Sequence, residues 1–231
     1  MQLENITESR RAEPKRGYDD ACGTAHALEL IGERWALLVL RELMLGSRRF
    51  SELRADLPGI SANVLTQRLN DLEQRGLVVK KRLPPPASVQ VYEATPWGLE
   101  AEPIVQALGR WAARSPRHDP TLPISGVSIL LSFRTMFDPV RVAEARGMNA
   151  TIAFRFGEDR YYVEIGDGKL VAFRGEPEAA DVVVNAEPTM LAAVVYGKQP
   201  LDLVAIEGDR ATFQRFVDLF ELPPKVGADG S

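Results

Sequence analysis

The sequence has 231 residues, 45% hydrophobic and 26% charged, which is typical of a globular protein with one large domain or two modest ones. It contains no apolar run of the roughly 18 to 20 residues that a transmembrane helix needs, and its polar start, "MQLENITESRRAEPKRG", lacks the apolar core of a signal peptide. Its single cysteine, Cys22, excludes an intrachain disulfide, so we expect a cytoplasmic protein without membrane association.

The net charge of −4 is unevenly distributed along the chain. Residues 1–118 contain 17 basic and 15 acidic residues, whereas residues 119–231 contain 11 basic and 17 acidic residues. Within 46–82 there are 8 basic and 4 acidic residues. A basic surface on an acidic protein favours a nucleic-acid-binding face, although a solvated helical surface would give the same count.

The proline-rich segment "RSPRHDPTLPISG" disfavours both helix and central strand, and it predicts a linker at 115–125. The linker separates two predicted domains, 19–114 and 126–222. A flexible arm, 1–18, precedes them, and a tail, 223–231, follows.

Helical spacing of apolar residues predicts two helices at the start of the first domain, one ending at Gly32 and the other at Gly46. A third, short helix is predicted from "RFSELRADLPG", with Ser51 as its N-cap and Pro58 as its stop.

A fourth helix is predicted from Ser61 to Gly76. The segments "LVVKKRL" and "SVQVYEA" then predict a two-stranded hairpin around "PPPA". Thr95 is expected to cap a final helix, which Pro103 would kink. This order of elements is typical of a winged helix, in which the helix before the hairpin lies in the DNA major groove.

The fourth helix has two distinct faces. Leucines 65, 69 and 72 form the buried stripe, and hydrogen-bonding side chains that can pair with base edges lie opposite. Arg68, on the flank, could reach phosphate or guanine. The predicted DNA-binding residues are Arg48, Arg49, Ser61, Asn63, Thr66, Gln67, Arg68, Asn70, Lys80, Lys81 and Arg82.

Both parts of this surface have a simpler interpretation. Polar residues would look much the same on the outer face of any surface helix. The basic run Lys80–Arg82 could be a solvated strand edge that prevents aggregation. The order of the elements favours DNA contact over both alternatives.

The first domain resembles the HxlR-type bacterial transcriptional regulators, dimeric winged-helix DNA-binding proteins related to the MarR group. The matching motifs are "LIGERWALLVLREL", "RRFSELRADLPGIS", "LTQRLNDLEQRGLV" and "YEATPWG", within residues 19–113. The resemblance implies that 61–75 is the recognition helix, that 80–90 is the wing and that the terminal helices form dimer contacts.

Cys22 aligns with a cysteine that many members of this family have before the first helix and that serves some of them as a thiol sensor. Here Gly23 replaces the proline common there, and Asp19 and Asp20 would oppose a thiolate. We therefore favour a structural cysteine over a sensor. A metal site formed by Cys22, His26 and Asp19 is less favoured, because the sequence offers no second ligand cluster.

The second domain shows a different pattern. Apolar and polar residues alternate through three strands in "NATIAFRFGEDRYYVEIGDGKLVAFRGEP", and strand, helix, strand and helix follow. This order resembles the sterol carrier protein family, in which a curved sheet and helices enclose an apolar lipid tunnel. The candidate pocket residues are Phe154, Phe156, Leu191, Val195, Phe213 and Phe216, which would be core residues if no pocket exists.

The sequence lacks a recognisable catalytic site. No nucleophile with its base, metal cluster or phosphate-binding loop is visible, "GDGK" is too short for a nucleotide loop, and His118 lies in the linker. We expect neither an enzyme nor a bound cofactor or metal.

The predicted fold class is α+β, with an N-terminal winged helix-turn-helix domain and a C-terminal sterol-carrier-like α/β domain. We expect a homodimeric transcriptional regulator, a repressor by resemblance, that binds double-stranded DNA at an inverted repeat. Its C-terminal domain would sense a small hydrophobic or acyl-bearing ligand. The alternative is a lipid or acyl-group carrier whose winged helix contacts protein; salt-sensitive binding to duplex DNA would distinguish the two.

Overall fold

The computed structural model describes residues 17–137 and 147–227. The predicted arm lies almost entirely outside these ranges, as does the end of the predicted tail. The first half contains, in chain order, α1 (Gly23–Ile31), α2 (Ala36–Glu42), α3 (Phe50–Asp56), α4 (Ala62–Gln74), β1 (Val78–Arg82), β2 (Gln90–Ala94), α5 (Pro96–Leu99) and α6 (Glu102–Ala113).

These elements form a winged helix, as predicted. Helices α2, α3 and α4 pack around buried leucines such as Leu40, Leu53 and Leu69. Strands β1 and β2 pair antiparallel from Val78–Ala94 to Arg82–Gln90. The α+β fold class with an N-terminal winged helix-turn-helix is therefore confirmed.

Three helix boundaries in the first half differ from the prediction. Helix α2 ends at Glu42 and not at Gly46. The N-cap of α3 is Arg49 and not Ser51, because the Glu52 carboxylate accepts a hydrogen bond of 2.8 Å from the Arg49 N–H and closes the first turn there. The last helix is broken rather than kinked. The proline ring of Pro103 disfavours a helical carbonyl four residues earlier, so α5 ends at Leu99 and α6 begins afresh with Pro103 in its first turn.

The second half contains, in chain order, α7 (Gly126–Met136), β3 (Ala150–Phe156), β4 (Asp159–Gly166), β5 (Lys169–Arg174), β6 (Val182–Asn185), α8 (Pro188–Val195), a 3-10 turn (Leu201–Leu203), β7 (Ala205–Gly208) and α9 (Arg210–Asp218). Its strands form a five-stranded sheet in the order β5-β4-β3-β6-β7. Strand pairs are antiparallel except for β3 and β6, which are parallel.

Helix α7 joins the two halves and was not predicted. Its side chains are buried on nearly every side, because α2 and α6 pack against one face and the sheet and α8 against the other. At its start, a Cβ on Gly126 would lie 2.8 Å from the ring of Tyr161, so only glycine fits that approach. One continuous apolar core therefore runs through both halves.

None of the helices in the two described ranges is long and apolar enough to cross a membrane.

Candidate nucleic-acid interface

Helix α4 presents the polar face that its sequence predicts. Ser61 caps it, with its Oγ accepting a hydrogen bond of 3.3 Å from the Val64 N–H. Its three leucines are fully buried, and the predicted contact residues opposite are exposed, namely Asn63, Thr66, Gln67 and Asn70. The Thr66 hydroxyl donates to the Ala62 carbonyl at 2.9 Å, which leaves it as an acceptor.

The hairpin follows α4 directly in the chain and carries exposed cationic side chains. Lys80, Lys81 and Arg82 are exposed on β1. Lys81 Nζ lies 2.7 Å from the carboxylate of Glu93 on β2, and Arg82 Nε donates to the Ser88 carbonyl at 3.1 Å. Lys80 has no ion-pair partner within residues 17–137 and 147–227, so its ammonium group is available to a phosphate.

Arg68 does not lie on the exposed face. It is buried, and its Nη1 is 3.0 Å from the Asp71 carboxylate and 3.3 Å from that of Glu33. On a helix with 3.6 residues per turn, residue 68 is only about 60° from Leu65, at the edge of the buried stripe. We therefore remove Arg68 from the predicted interface.

Arg48 is also buried, and it links the two halves of the protein. Its Nη1 donates to Asp159 at 2.8 Å, its Nη2 pairs with Asp56, and its backbone pairs with that of Tyr92. Burial opposes the charged form, but the neighbouring carboxylates of Asp159 and Asp56 raise the pKa of Arg48. A guanidinium group held in this way is not accessible to DNA, so Arg48 also leaves the predicted set, whereas Arg49 is exposed.

Cys22 is exposed at the N-terminus of α1 and does not contribute to the core. The backbone N–H groups of Thr24 and Ala25 lower the pKa of its thiol. His26 Nδ1 lies 3.0 Å from the Glu29 carboxylate. Among the described residues, no group of three or more histidine, cysteine or acidic side chains is placed to hold a metal ion. A thiol-sensing role for Cys22 stays a prediction.

The six predicted pocket residues pack against one another and their neighbours in the core. All six are buried, and the ring centroids of Phe154 and Phe216 lie 5.9 Å apart, with Phe133 of α7 within 5.8 Å of both. A cavity of about 400 Å³ is found elsewhere, between α2 and α6 on one side and α7 and α8 on the other. None of the six residues lines it.

The structure also reveals a buried carboxylate that sequence reasoning missed. Glu42 of α2 accepts hydrogen bonds from Arg41, from the Ser125 hydroxyl at 2.9 and 3.0 Å, and from the Ser128 hydroxyl at 3.3 Å. Burial raises the pKa of Glu42. A glutamate inside an apolar helical stripe is the only sequence signal for this contact.

Comparison with known proteins identifies relatives of the first half of the chain. The model of the HxlR-like helix-turn-helix family matches residues 30–119. The uncharacterized HTH-type transcriptional regulator YvaP of Bacillus subtilis strain 168 is 39% identical over 87 residues, which are 37% of this chain and 80% of YvaP. The HTH-type transcriptional regulator YodB of the same strain is 35% identical over 86 residues, 37% of this chain and 77% of YodB.

Among solved structures, the reduced form of YodB from B. subtilis aligns with 31% identity and a TM-score of 0.39, covering 43% of this chain and 100% of that chain. The family match spans α2 to α6, including the polar face of α4 and the basic hairpin. Because the family model matches and YvaP is 39% identical over 80% of its length, the chain belongs to the HxlR-like helix-turn-helix family of DNA-binding transcriptional regulators.

Proposed function

We propose that this protein is a homodimeric repressor that reads operator sequence with α4 and contacts the flanking backbone with the β1–β2 hairpin. The observation that carries the proposal is the exposed hydrogen-bonding face of α4 together with the exposed cations of the hairpin. Amide side chains recognise base edges, and lysine or arginine contacts to phosphate fix the register. The residues proposed to contact DNA are Arg49, Ser61, Asn63, Thr66, Gln67, Asn70, Lys80, Lys81 and Arg82.

Dimerisation is supported by an apolar surface on α5 and α6. Trp97, Ile104, Leu108 and Trp111 are all exposed in the single chain, and Trp111 is 75% exposed. Such a patch favours burial against a second copy. A twofold dimer would place two copies of α4 in successive major grooves about 34 Å apart, so the operator would be an inverted repeat.

The second half is proposed to sense a small hydrophobic or acyl-bearing ligand. The order of strands and helices after residue 149 supports the resemblance to sterol carrier proteins, and the shared core through α7 offers a physical route to the winged helix. A ligand changes DNA affinity only if it binds the competent and incompetent states unequally.

The DNA-binding proposal is tested by sequencing genomic fragments recovered with the purified full chain, followed by titration of a recovered duplex and a scrambled one. Gln67→Ala should weaken binding to the recovered duplex by about 1–3 kcal/mol and binding to the scrambled duplex much less. Lys80→Ala should weaken both and reduce the salt dependence by about one phosphate contact.

The matched controls are Gln214→Ala and Lys169→Ala, which change exposed residues of the second half. Neither should alter binding. Equal losses on both duplexes for Gln67→Ala would show that α4 only positions the protein, and an unchanged salt dependence for Lys80→Ala would remove the hairpin from the interface.

A further inference from the structure

The cavity between the two halves has the size of a small-molecule site. Its volume is about 400 Å³, within the range of roughly 300–1,000 Å³ common for ligand pockets. Leu37 of α2 and Val105 of α6 line one wall, and Leu131 of α7 and Ala192 of α8 line the other. Leu108, which belongs to the exposed apolar face of α6, also borders the cavity. Leu222, after α9, also lines it. Both halves of the protein therefore contribute walls to the same cavity.

Most polar groups in this lining already have partners inside the protein. The hydroxyls of Ser132 and Tyr196 lie 2.7 Å apart and bond to each other. The Thr135 hydroxyl donates to the Leu131 carbonyl at 2.8 Å. Burial, together with the nearby Lys225 ammonium, lowers the pKa of His118, which favours the neutral imidazole near neutral pH. Among the described residues that line the cavity, Arg41 is thus the one that is permanently charged.

Arg41 retains hydrogen-bonding capacity toward the cavity. Its Nε and Nη2 donate to the same Glu42 oxygen at 2.9 and 2.6 Å. Its Nη1 has no hydrogen-bond partner within the described ranges, and its side chain is 22% exposed. A guanidinium group with a free edge at an apolar cavity suits a carboxylate better than a neutral group, because charge-assisted hydrogen bonds are the stronger ones.

We propose that this cavity binds a small hydrophobic carboxylate, with its hydrocarbon part between α6, α7 and α8 and its carboxylate accepting hydrogen bonds from Arg41. The proposal deepens the ligand-sensing part of the proposed function, and it moves the ligand away from the packed aromatic residues of the sheet. It does not depend on DNA binding.

The position of the site gives the ligand a route to the DNA-binding helices. Arg41 is adjacent to Glu42, whose carboxylate accepts the hydroxyls of Ser125 and Ser128 and so holds the start of α7 against α2. A ligand carboxylate on the free edge of Arg41 competes with Glu42 for the same positive charge, and so weakens the contact of Arg41 with that buried carboxylate. The fit of α7 on α2 then differs between the free and bound states, which is the requirement for coupling.

The test is calorimetric titration of the full chain with decanoate and, separately, with decanol, in the absence of DNA. Gly109→Leu fills the cavity from α6: a Cβ there meets Thr135 Cγ2 at 3.8 Å, an ordinary contact, and Gly109 lies inside a regular helix. We expect Gly109→Leu to weaken binding of both compounds by about tenfold or more, since the apolar volume is lost.

Arg41→Met distinguishes the contribution of the ligand's carboxylate from that of its hydrocarbon part. It should weaken decanoate binding by about tenfold and leave decanol binding within about twofold of the wild type, since only decanoate accepts the charged hydrogen bonds. Arg210→Met, which changes an exposed arginine of α9 outside the cavity lining, is the matched control and should leave both affinities unchanged. Circular dichroism confirms folding, and Ala112→Leu, another substitution in the lining, replaces Gly109→Leu if that variant does not fold.

Three results would overturn the proposal: no decanoate binding to the wild-type chain, wild-type affinity in the cavity-filling variant, or equal loss of both compounds in Arg41→Met. Duplex titration of the same protein without decanoate keeps the two proposals separate. Loss of DNA recognition would leave the cavity result intact, and absence of decanoate binding would leave the DNA result intact.

Discussion

Arg48 and Arg68 lie next in sequence to residues of the proposed interface, yet each has its guanidinium group inside the protein. Arg68 contacts Glu33 and Asp71, and Arg48 contacts Asp56 and Asp159. A buried cation is retained only where carboxylates compensate its lost hydration. The positions of these acidic partners decide whether an arginine is buried in the fold or is exposed and able to contact DNA.

The role of Arg68 can be tested by Arg68→Met, which keeps an apolar stem and removes both ion pairs. We expect the free energy of unfolding in urea to fall by about 2 kcal/mol, because Asp71 and Glu33 lose their partner but remain partly hydrated. The salt dependence of duplex binding should stay at its wild-type value. A reduced salt dependence with unchanged stability would return Arg68 to the DNA interface.

Glu42 makes stability depend on pH in a defined direction. Burial raises its pKa in the folded protein, so above about pH 4.3 the unfolded chain binds fewer protons than the folded one. The contribution of Glu42 is therefore present below that pH and is lost as pH rises through the raised pKa. Glu42→Gln removes this titration.

We expect the stability of Glu42→Gln relative to wild type to rise steadily as the pH of urea unfolding is raised from about 4.3 toward neutrality. Glu100→Gln, at an exposed position, should run parallel to wild type. If the stability of Glu42→Gln also ran parallel to that of wild type across this pH range, Glu42 would have the same pKa in the folded and unfolded states.

The break between α5 and α6 determines which side of α6 carries its exposed apolar residues. Helix α6 is a separate helix with Pro103 in its first turn. Its residues Ile104, Leu108 and Trp111 then lie on one side at helical spacing. The opposite side of α6 packs on α7. An amphipathic helix covered on one side and apolar on the other favours a second partner.

Trp111→Glu should therefore dissociate the proposed dimer. A tryptophan at an interface centre commonly contributes about 2 kcal/mol or more to association, and a buried glutamate without a partner adds a further penalty. Light scattering at micromolar concentration should show a dimer for wild type and a monomer for Trp111→Glu. Leu203→Glu, an exposed apolar site on the 3-10 turn, is the control and should remain dimeric; a dimeric Trp111→Glu would place the interface elsewhere.

One apolar helix and several polar contacts, among them the ion pair of Glu102 and Arg134, join the halves of the molecule. Helix α7 buries its surface against both halves, Glu42 bonds to the serines at its start, and Arg48 reaches Asp159, which lies 111 residues later in the chain. The winged helix and the sheet are thus held in one arrangement by packing and by a buried charge pair. Relative movement of the halves has to break these contacts.

A double-mutant cycle on Arg48→Met and Asp159→Asn measures this connection. Arg48→Met should destabilise the protein by about 2–4 kcal/mol, since it leaves Asp56 without its partner. Asp159→Asn should destabilise it less, because Arg48 keeps its contact with Asp56. The double variant should lose less than the sum, with a coupling energy of about 1–3 kcal/mol from urea unfolding. The pair Arg210 and Asp202, which is exposed, should show little coupling. Strictly additive losses of stability for the two substitutions would mean that the contact between Arg48 and Asp159 contributes no coupling energy.

The winged helix could be predicted from the sequence, because its signals are local. Ser61 and Thr95 are side chains that cap the helix beginning beside them, and the leucines of α4 repeat with the helical period. The same reasoning identified the three strands after residue 149 and the exposed amide face of α4. Family motifs at fixed spacing further indicated that the protein is a transcriptional regulator.

Which charged residues face solvent, and where the cavity lies, depend on contacts between distant parts of the chain and could not be predicted. Periodicity separates the two sides of a helix but cannot show that Asp159 approaches Arg48, or that Glu42 meets the start of α7, since these partners are far apart in the chain. The pocket expected among the phenylalanines of the sheet is filled because α7 supplies Phe133 to that space. Packing of distant segments fills the space among the phenylalanines and leaves a cavity between the halves. No local sequence pattern encodes such packing.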